Sequence, residues 1–412
     1  MRLLRISTWY PLYLRQFYDR QPGLALEPYA EQHARLMEDC FGLADFWARA
    51  LNAVEGNVAE EIIANVESMQ KAWANERGES YTEDDWLFEI TTAQIKAFKP
   101  DVLFVNDYIT FTASYLRELK AECPSIRLVL GWCGGPYPDL SVFREYDLVL
   151  SCIPELVCGF REAGLRSHHL NHAFAPHILD KLDMNAPPNV DFAFIGSITK
   201  QTSFHEQREQ LLLQLVQKTD LQFWSAINQP SFRRRSGAMV RRAAFDTVDL
   251  AQRVGVPGAI IKGTPLVQKV ARWPTRPPVP GSINKQIVRR ARPPIFGVEM
   301  YQQLRQSRIS LNTHIDISPL SASNQRLFEA TGVGATCLLT DWKANLKDLF
   351  EPDVEVTSYR SAEECVEKVR YLLDHEDERR AIAAAGQRRT LRDHTFTERA
   401  AQLDSIIKDY FS

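Results

Sequence analysis

The 412-residue sequence has no run of about eighteen consecutive apolar residues, the minimum for a spanning helix. Its first residues, Met1-Arg2-Leu3-Leu4-Arg5-Ile6-Ser7, lack the long apolar core of a signal peptide. Neither a membrane span nor a secretory route is expected. Its seven cysteines, Cys40, Cys123, Cys133, Cys152, Cys158, Cys337 and Cys365, show no paired metal spacing and sit mostly in apolar or helical contexts. Reduced thiols in a cytoplasmic chain are the expectation. There is no Asp-x-Asp pair in a plausible site and no His/Cys/Asp cluster at metal spacing, so the sequence demands no metal or other cofactor. Nor is there a Gly-x-Gly-x-x-Gly after the first strand or a Walker loop, which counts against a nucleotide-dependent dehydrogenase or an NTPase. What is present is ordinary: 45% hydrophobic and 25% charged residues with a formal net charge of −3, suited to a globular chain of two or three domains.

That small net charge hides a strong asymmetry. Between Ser231 and Pro294 there are 14 Lys and Arg residues against only Asp246 and Asp249, about +12 in one segment, which leaves the remainder acidic. The segment is proline-rich and breaks the surrounding pattern. It reads either as a variable insertion with solvated cations or as a docking surface for anionic lipid or a phosphate-bearing acceptor. No nucleic-acid recognition motif accompanies the charge, so nucleic acid is not expected as a partner.

Elsewhere apolar runs alternate with helical periodicity. Arg2 to Ser7 reads as a strand, and Tyr29 to Ala53, Val58 to Asn75 and Asp84 to Phe98 as amphipathic helices. Asp101 to Asn106 reads as a strand, Thr110 to Cys123 as a helix, and Ile126 to Gly131 and Asp147 to Ser151 as further strands. Strands spaced by helices predict an α/β fold with a parallel, doubly wound sheet, and ligands then bind at the C-terminal strand ends. Residues 181–190, with Pro187-Pro188, suit a linker. Asp191 to Ser197 then opens a second such domain, followed by a helix around His205 to Gln217 and strands at Leu221 to Trp224, Ser310 to His314 and Thr336 to Thr340. The organisation expected is a first domain over 1–180, a second over 191–395 carrying the basic insertion 228–294, and a terminal helix over 396–412.

The most informative stretch is Ser323-Asn324-Gln325-Arg326-Leu327-Phe328-Glu329-Ala330-Thr331-Gly332-Val333-Gly334-Ala335, which runs into Thr336-Cys337-Leu338-Leu339-Thr340 and closes on Asp341. Arg326 and Glu329 fall one turn apart on one helix face. A cation and a carboxylate so placed can meet a phosphate and a sugar diol. With Tyr301 to His314, Leu349-Phe350, Tyr359, and Ala381 through His394-Thr395-Phe396 to Arg399, the stretch resembles the C-terminal domain of GT-B, group 1 glycosyltransferases, most nearly the CgeB-like, spore-maturation type. The resemblance implies two Rossmann-like domains facing a cleft, with a C-terminal helix crossing back to the first. It also implies transfer of a sugar from a nucleotide-diphosphate sugar to a glycan, lipid-linked or protein acceptor in a cell-envelope pathway. In related enzymes the second glutamate of a Glu, seven residues, Glu motif holds the donor ribose, and Glu329 matches it. The first position is Ser321, a departure that leaves sugar contacts and stereochemistry open.

On this reading the donor would meet Gly196 and Ser197 at a strand end, where backbone N–H groups suit a diphosphate. His314, Asn324, Arg326, Leu327 and Glu329 would complete that side, with Asp316 beside His314. Asn324 is also the expected helix cap. Gly332 and Gly334 are shape residues, and His394 is structural. Asp107 and His172 are the candidate catalytic bases, although an Asp after a strand caps the next helix as often. Trp9 and Tyr10 would offer stacking faces to the acceptor, with Asp139 nearby. Peripheral contact with the inner face of a membrane through the basic segment is compatible with this reading, and a nucleotide-sugar epimerase and a non-catalytic scaffold docking to anionic surfaces through that segment are the alternatives.

Overall fold

The computed structural model describes residues 1–198, 206–227, 231–254, 270, 276–277, 279 and 281–412. The first sheet holds β1 (Arg2–Ser7), β2 (Val58–Ile63), β3 (Val102–Val105), β4 (Leu128–Trp132), β5 (Leu148–Ser151) and β6 (Ser167–His169), ordered β2-β1-β3-β4-β5-β6. Every pairing in it is parallel. The runs Val-Leu-Phe-Val of β3 and Leu-Val-Leu-Ser of β5 are buried throughout, as strands covered on both faces must be. Leu4, Ile6, Leu103, Val105, Val129 and Val149 form one core with Phe111 and Phe160 from the flanking chain.

β2 corrects the sequence expectation of a helix from Val58 to Asn75. Val58-Ala-Glu-Glu-Ile-Ile is a strand, and the helix begins only at Glu67 (Glu67–Arg77). The two glutamates disguised it. Arg5 lies opposite Glu61 in the parallel register, and Arg5 Nη1 reaches Glu61 Oε2 at 2.7 Å with both side chains buried. A charge on an inward-facing strand position is thus matched across the ladder instead of being solvated. The expected helix from Tyr29 to Ala53 is likewise two, Tyr29–Glu38 and Phe46–Asn52, separated where Cys40, Gly42 and Ala44 adopt φ of 55°, 62° and 36°.

The second sheet holds β7 (Val190–Ile195), β8 (Gln222–Trp224), β9 (Ala291–Arg292), β10 (Ser307–Asn312), β11 (Cys337–Asp341) and β12 (Thr357–Tyr359), in the order β12-β11-β10-β7-β8-β9. Ile309 to Asn312 of β10 run level with Cys337 to Thr340 of β11, so both strands end together at Asn312 and Asp341. By compactness the chain divides into one unit of Met1–Ile195, Asp220–Gln222 and Ile295–Ser412 and a second of Gly196–Thr219 and Phe223–Pro294. Within the second unit, where the sequence pattern broke down, Phe232–Arg253 is a 22-residue helix and Lys285–Arg290 a short one. Much of the expected insertion between them lies outside the described residues.

In the first unit, the expected linker is tied down. The Asp183 N–H donates to Gln302 Oε1 (2.8 Å), Arg305 Nη2 to the Met184 carbonyl (2.7 Å), and the Asn189 N–H to the Gln306 carbonyl (2.8 Å). The terminal helix, Phe396–Phe411, starts with a capping box of Thr395 and Glu398. It packs on the Phe46–Asn52 helix, with the Phe396 ring 5.2 Å from Trp47 and Asn57 Nδ2 donating to Asp404 Oδ1 (3.0 Å).

Candidate functional site

The helix Arg326–Val333 owes its position to Leu327, Phe328, Ala330 and Val333, all fully buried. Gly332 is forced by packing: any Cβ there would overlap the Phe174 ring. Gly334 sits at φ +64°, which ends the helix in the left-handed region. The close neighbour of Gly332 is therefore an aromatic ring.

On the outward side of this helix Arg326 Nη1 meets Glu329 Oε2 at 2.8 Å, and Nη1 also contacts Met300 Sδ at 3.0 Å. The side chains keep 17% and 9% of their exposure, so the pair is mostly buried yet reachable. The Tyr301 hydroxyl donates to Glu329 Oε1 at 3.3 Å. Burial, and then the Glu329 charge, hold the Tyr301 phenol far above its ordinary pKa, so it acts only as a donor.

The loop between β10 and this helix is organised by amides and by a buried histidine. Asn324 does not cap the helix, because Gln325 occupies that position in αR geometry with no side-chain cap. Instead Asn324 Nδ2 donates to Asn312 Oδ1 (2.6 Å), and Asn312 Nδ2 returns a bond to Asn324 Oδ1 (3.1 Å) and another to Thr340 Oγ1 (2.9 Å). This reciprocal pair clamps the loop to the ends of β10 and β11. Beside it, His314 Nδ1 lies 2.7 Å from Asp341 Oδ1, and the His314 backbone N–H donates to the same carboxylate at 3.1 Å. Lys343 Nζ is 3.3 Å from Asp341 Oδ2. Burial pushes the Asp341 carboxyl up, but the His314 ring and the Lys343 ammonium outweigh it and hold the group below its ordinary range. The carboxylate is therefore an acceptor, and His314 carries its proton on Nδ1. His314 Nε2, buried, has no hydrogen-bond partner among the described residues.

Asp341 is the site residue that sequence reasoning passed over. Its signal was there, a polar residue closing an apolar strand whose end faces the ligand side of a parallel sheet. Tyr301 had no such signal, because it sits in an unremarkable helical pattern.

The first-domain candidates are less uniform. Asp107 Oδ1 accepts the N–H groups of Ile109 and Thr110, each at 3.0 Å, while the Thr8 hydroxyl donates to Oδ2 at 2.5 Å. It holds the turn after β3 and joins it to the loop after β1. His172 lies with its ring 5.1 Å from Trp132, and its carbonyl accepts from Arg399 Nε (3.3 Å). Burial, with the Arg399 charge adding to it, pushes the His172 imidazole down to about 4, so it is neutral at physiological pH. Arg399 Nη2 also meets His394 Nδ1 (3.0 Å), and His394 Nε2 meets the Leu349 carbonyl (2.8 Å).

Trp9 requires correction. Its ring is buried edge-on to Tyr13 and Phe41, and Asn65 brackets its backbone with two 2.8 Å bonds, so it is core and offers no stacking face. Tyr10 is exposed, with its ring 5.8 Å from Phe41. Asp139 is exposed and accepts from the Ser141 N–H (2.7 Å), a short helical turn's cap. The Gly196 N–H, expected to face a diphosphate, instead donates to the Trp224 carbonyl (3.2 Å), and the carbonyl of exposed Ser197 takes Arg208 Nη1 (2.9 Å). Both lie in the second unit.

Within the first unit the two sides touch. Gln325 Nε2, at the start of the Arg326 helix, donates to the Gly42 carbonyl (3.1 Å), beside Trp9 and Phe41. The Leu320 N–H donates to Glu155 Oε1 (3.2 Å), in the first turn of the Pro154–Glu162 helix after β5. The loop carrying His314 and Asn324 is thus held from both halves of the unit. Among the described residues, no group of three or more His, Cys, Asp or Glu could hold a metal, and no helix is long and apolar enough to cross a membrane.

Residues 234–405, less than half of the chain, match a family described as glycosyl transferase-like. No curated protein matches the chain by sequence. Among solved structures, HepE of Anabaena in complex with UDP-glucose is similar at a TM-score of 0.53 and 12% identity, covering 99% of this chain and 100% of its own. Sucrose-phosphate synthase from Thermosynechococcus elongatus is similar at 0.51 and 11%, covering 100% and 99%. A glycosyltransferase from Rickettsia africae is similar at 0.50 and 9%, covering 100% and 98%. Two six-stranded parallel sheets with flanking helices, matched end to end by these neighbours, give this chain the GT-B fold.

Proposed function

We propose that this protein is a glycosyltransferase that moves a sugar, a hexose in the simplest case, from a nucleotide-diphosphate sugar to an acceptor hydroxyl. The observation that carries the reading is the pairing of two poised groups on one loop-helix segment. Arg326 and Glu329 stand in partial exposure on the helix, and buried His314, oriented by Asp341, presents a free Nε2 at the C-terminal strand ends. The match of residues 234–405 to a glycosyl transferase-like family supports it. So does the likeness in fold to a structure that holds UDP-glucose.

In this mechanism Glu329 accepts hydrogen bonds from the donor ribose hydroxyls, taking over from Tyr301, and Arg326 turns from Glu329 toward the diphosphate. The bond from the sugar C1 to the β-phosphate oxygen breaks with its electron pair on that oxygen, and the acceptor oxygen bonds to C1. The acceptor proton passes to the departing phosphate in a retaining route, or to Asp107 or His172 in an inverting one. The His314 ring is itself buried, so its Nε2 reaches the donor only when the loop between β10 and the Arg326 helix opens on binding, and Asp341 acts through it as a positioning residue. Tyr10 offers the acceptor an exposed ring. A CgeB-like enzyme of cell-envelope polysaccharide or glycoconjugate synthesis, with a glycan, lipid-linked or protein acceptor, is the finer form of the proposal.

The test is thermal denaturation against UDP, GDP and dTDP and their sugars, wild type beside Glu329→Ala. Occupancy at about one hundred times the dissociation constant adds about 2.7 kcal/mol. One nucleotide stabilising the wild type and not the variant is the expected result. No stabilisation by any of them overturns the donor site and with it the transferase.

A further inference from the structure

The helix Phe232–Arg253 carries an exposed apolar stripe that nothing in the proposed chemistry uses. At about 100° per residue, Met239, Val240, Ala243 and Leu250 fall within one band about 100° wide that also takes in Ser236 and Thr247, and the four apolar side chains are exposed, Val240 to 69% and Leu250 to 60%. Cations line both borders. Arg233 lies about 20° beyond one border and Arg235 and Arg242 about 40–60° beyond the other, while Arg234 and Arg241 fall on the far side of the helix. Ala238, on the opposite face, is the position the helix buries.

The helix's acidic residues do not cancel this charge where it matters. Asp246 is taken by Arg276 in a two-toothed pair (2.6 and 2.5 Å), and Asp249 by Arg253 (2.9 Å). Both carboxylates are therefore neutralised internally. What the helix presents is apolar surface flanked by guanidinium groups. An apolar band flanked by Arg is the pattern of a helix that lies in the plane of a membrane surface, its apolar face among acyl chains and its cations at the headgroups. A solvated cationic face would put polar residues where Met239, Val240 and Leu250 stand.

We infer that this helix docks the protein on an anionic phospholipid surface, with the stripe inserted and the flanking arginines on lipid phosphates. The inference does not rest on the transferase reading, since lipid binding is read without nucleotide.

The test is cosedimentation of the full chain with vesicles of phosphatidylcholine alone and of equimolar phosphatidylcholine and phosphatidylglycerol. The wild type is expected to bind the anionic vesicles, and to be released by salt. Reversal of Arg233, Arg235 and Arg242 to Glu is expected to lower partitioning by at least about a hundredfold. Met239→Ser with Leu250→Ser is expected to weaken binding while keeping its salt dependence. Far-UV circular dichroism checks that the variants fold, and the wild-type salt titration stands without them. Equal partitioning to neutral and anionic vesicles, or to neither, overturns the proposal. So does competition by millimolar inorganic phosphate, which would make the surface a free-anion site. A dimer of the wild type broken by Met239→Ser with Leu250→Ser would show the stripe covered by a second copy, and it overturns the proposal as well.

Discussion

Two acid-base pairs, one within the first sheet and one on a helix packed beside the second, look alike and differ in almost every physical respect. Arg5 and Glu61 sit mid-strand on neighbouring ladder positions with side chains 2% and 1% exposed, whereas Arg326 and Glu329 sit past the strand ends at 17% and 9%. The first pair is locked by register and reachable by nothing. On the proposed reading, the second has a tyrosine donor that a ligand hydroxyl replaces and a cation that turns toward the diphosphate. Burial alone therefore does not mark a functional pair, because the more buried one is structural. What would mark the other, on the proposed reading, is location near the carboxyl ends of parallel strands, together with partners that a ligand exchanges.

The largest effect separates them by stability. Glu61→Ala leaves Arg5 charged and unpaired in the core, and should cost about 3–5 kcal/mol in urea unfolding. The double change Arg5→Met with Glu61→Leu should restore most of it, because two apolar side chains fill the same space without a desolvation penalty. If the double variant is as unstable as the single, the pair is more than a matched charge and the comparison fails.

The same pair makes stability depend on pH. Burial raises Glu61 to about 7, with Arg5 pulling it back down. The folded chain then holds a proton that the unfolded chain has released between the ordinary carboxylate range and about 7. Stability is full below that window and falls as pH rises through it, by on the order of 1 kcal/mol per pH unit, and is flat above. Unfolding free energies at pH 5, 6, 7 and 8 should show a decline that Glu61→Gln lacks. A parallel decline in that variant would assign the slope to other groups.

Gly332→Ala should cost about 1–3 kcal/mol, since the added methyl meets the Phe174 ring. Phe174→Leu in the same chain should recover part of this in thermal unfolding. That outcome would sharpen the view that the motif's glycines serve packing between the two halves of the unit while Arg326 and Glu329 serve a ligand.

These pairs also show what the sequence could and could not reveal. Continuous apolar strands such as Val102–Val105 were legible, because burial on both faces leaves no other composition. Val58–Ile63 was not, because Glu61 is apolar in its surroundings only once Arg5 lies beside it, and a register between residues 56 apart is invisible in one dimension. The face shared by Arg326 and Glu329 followed from helical periodicity. Asn324 was assigned to a cap because local sequence names the nearest helix, whereas its true partner is Asn312 on another element. Trp9 read as a stacking face since nothing local reveals Phe41 and Tyr13 closing over it.

Asp341→Asn tests the histidine arm of the comparison. It should weaken binding of the stabilising nucleoside diphosphate about tenfold, equal to about 1.4 kcal/mol, in calorimetry. In wild type, long-range ¹H–¹⁵N spectra should place the His314 proton on Nδ1 and show Nε2 shifting when nucleotide is added. The variant should lose that preference. Unchanged affinity with an altered spectrum would make Asp341 a fold residue alone.

The smallest effect is the most discriminating. Tyr301→Phe removes one hydroxyl that donates to Glu329 at 3.3 Å, a long bond beside a carboxylate already held by Arg326 at 2.8 Å. If Glu329 is held for the sake of the fold, losing that donor should lower stability by about 1 kcal/mol and leave nucleotide affinity alone. If Tyr301 is a placeholder for a ribose hydroxyl, the unliganded protein loses that bond while the complex, which has already exchanged it, does not. The variant should then unfold earlier without ligand, match wild type with ligand, and bind nucleotide more tightly by the same free energy. Arg5–Glu61 admits no such exchange, so no substitution around it should ever raise an affinity.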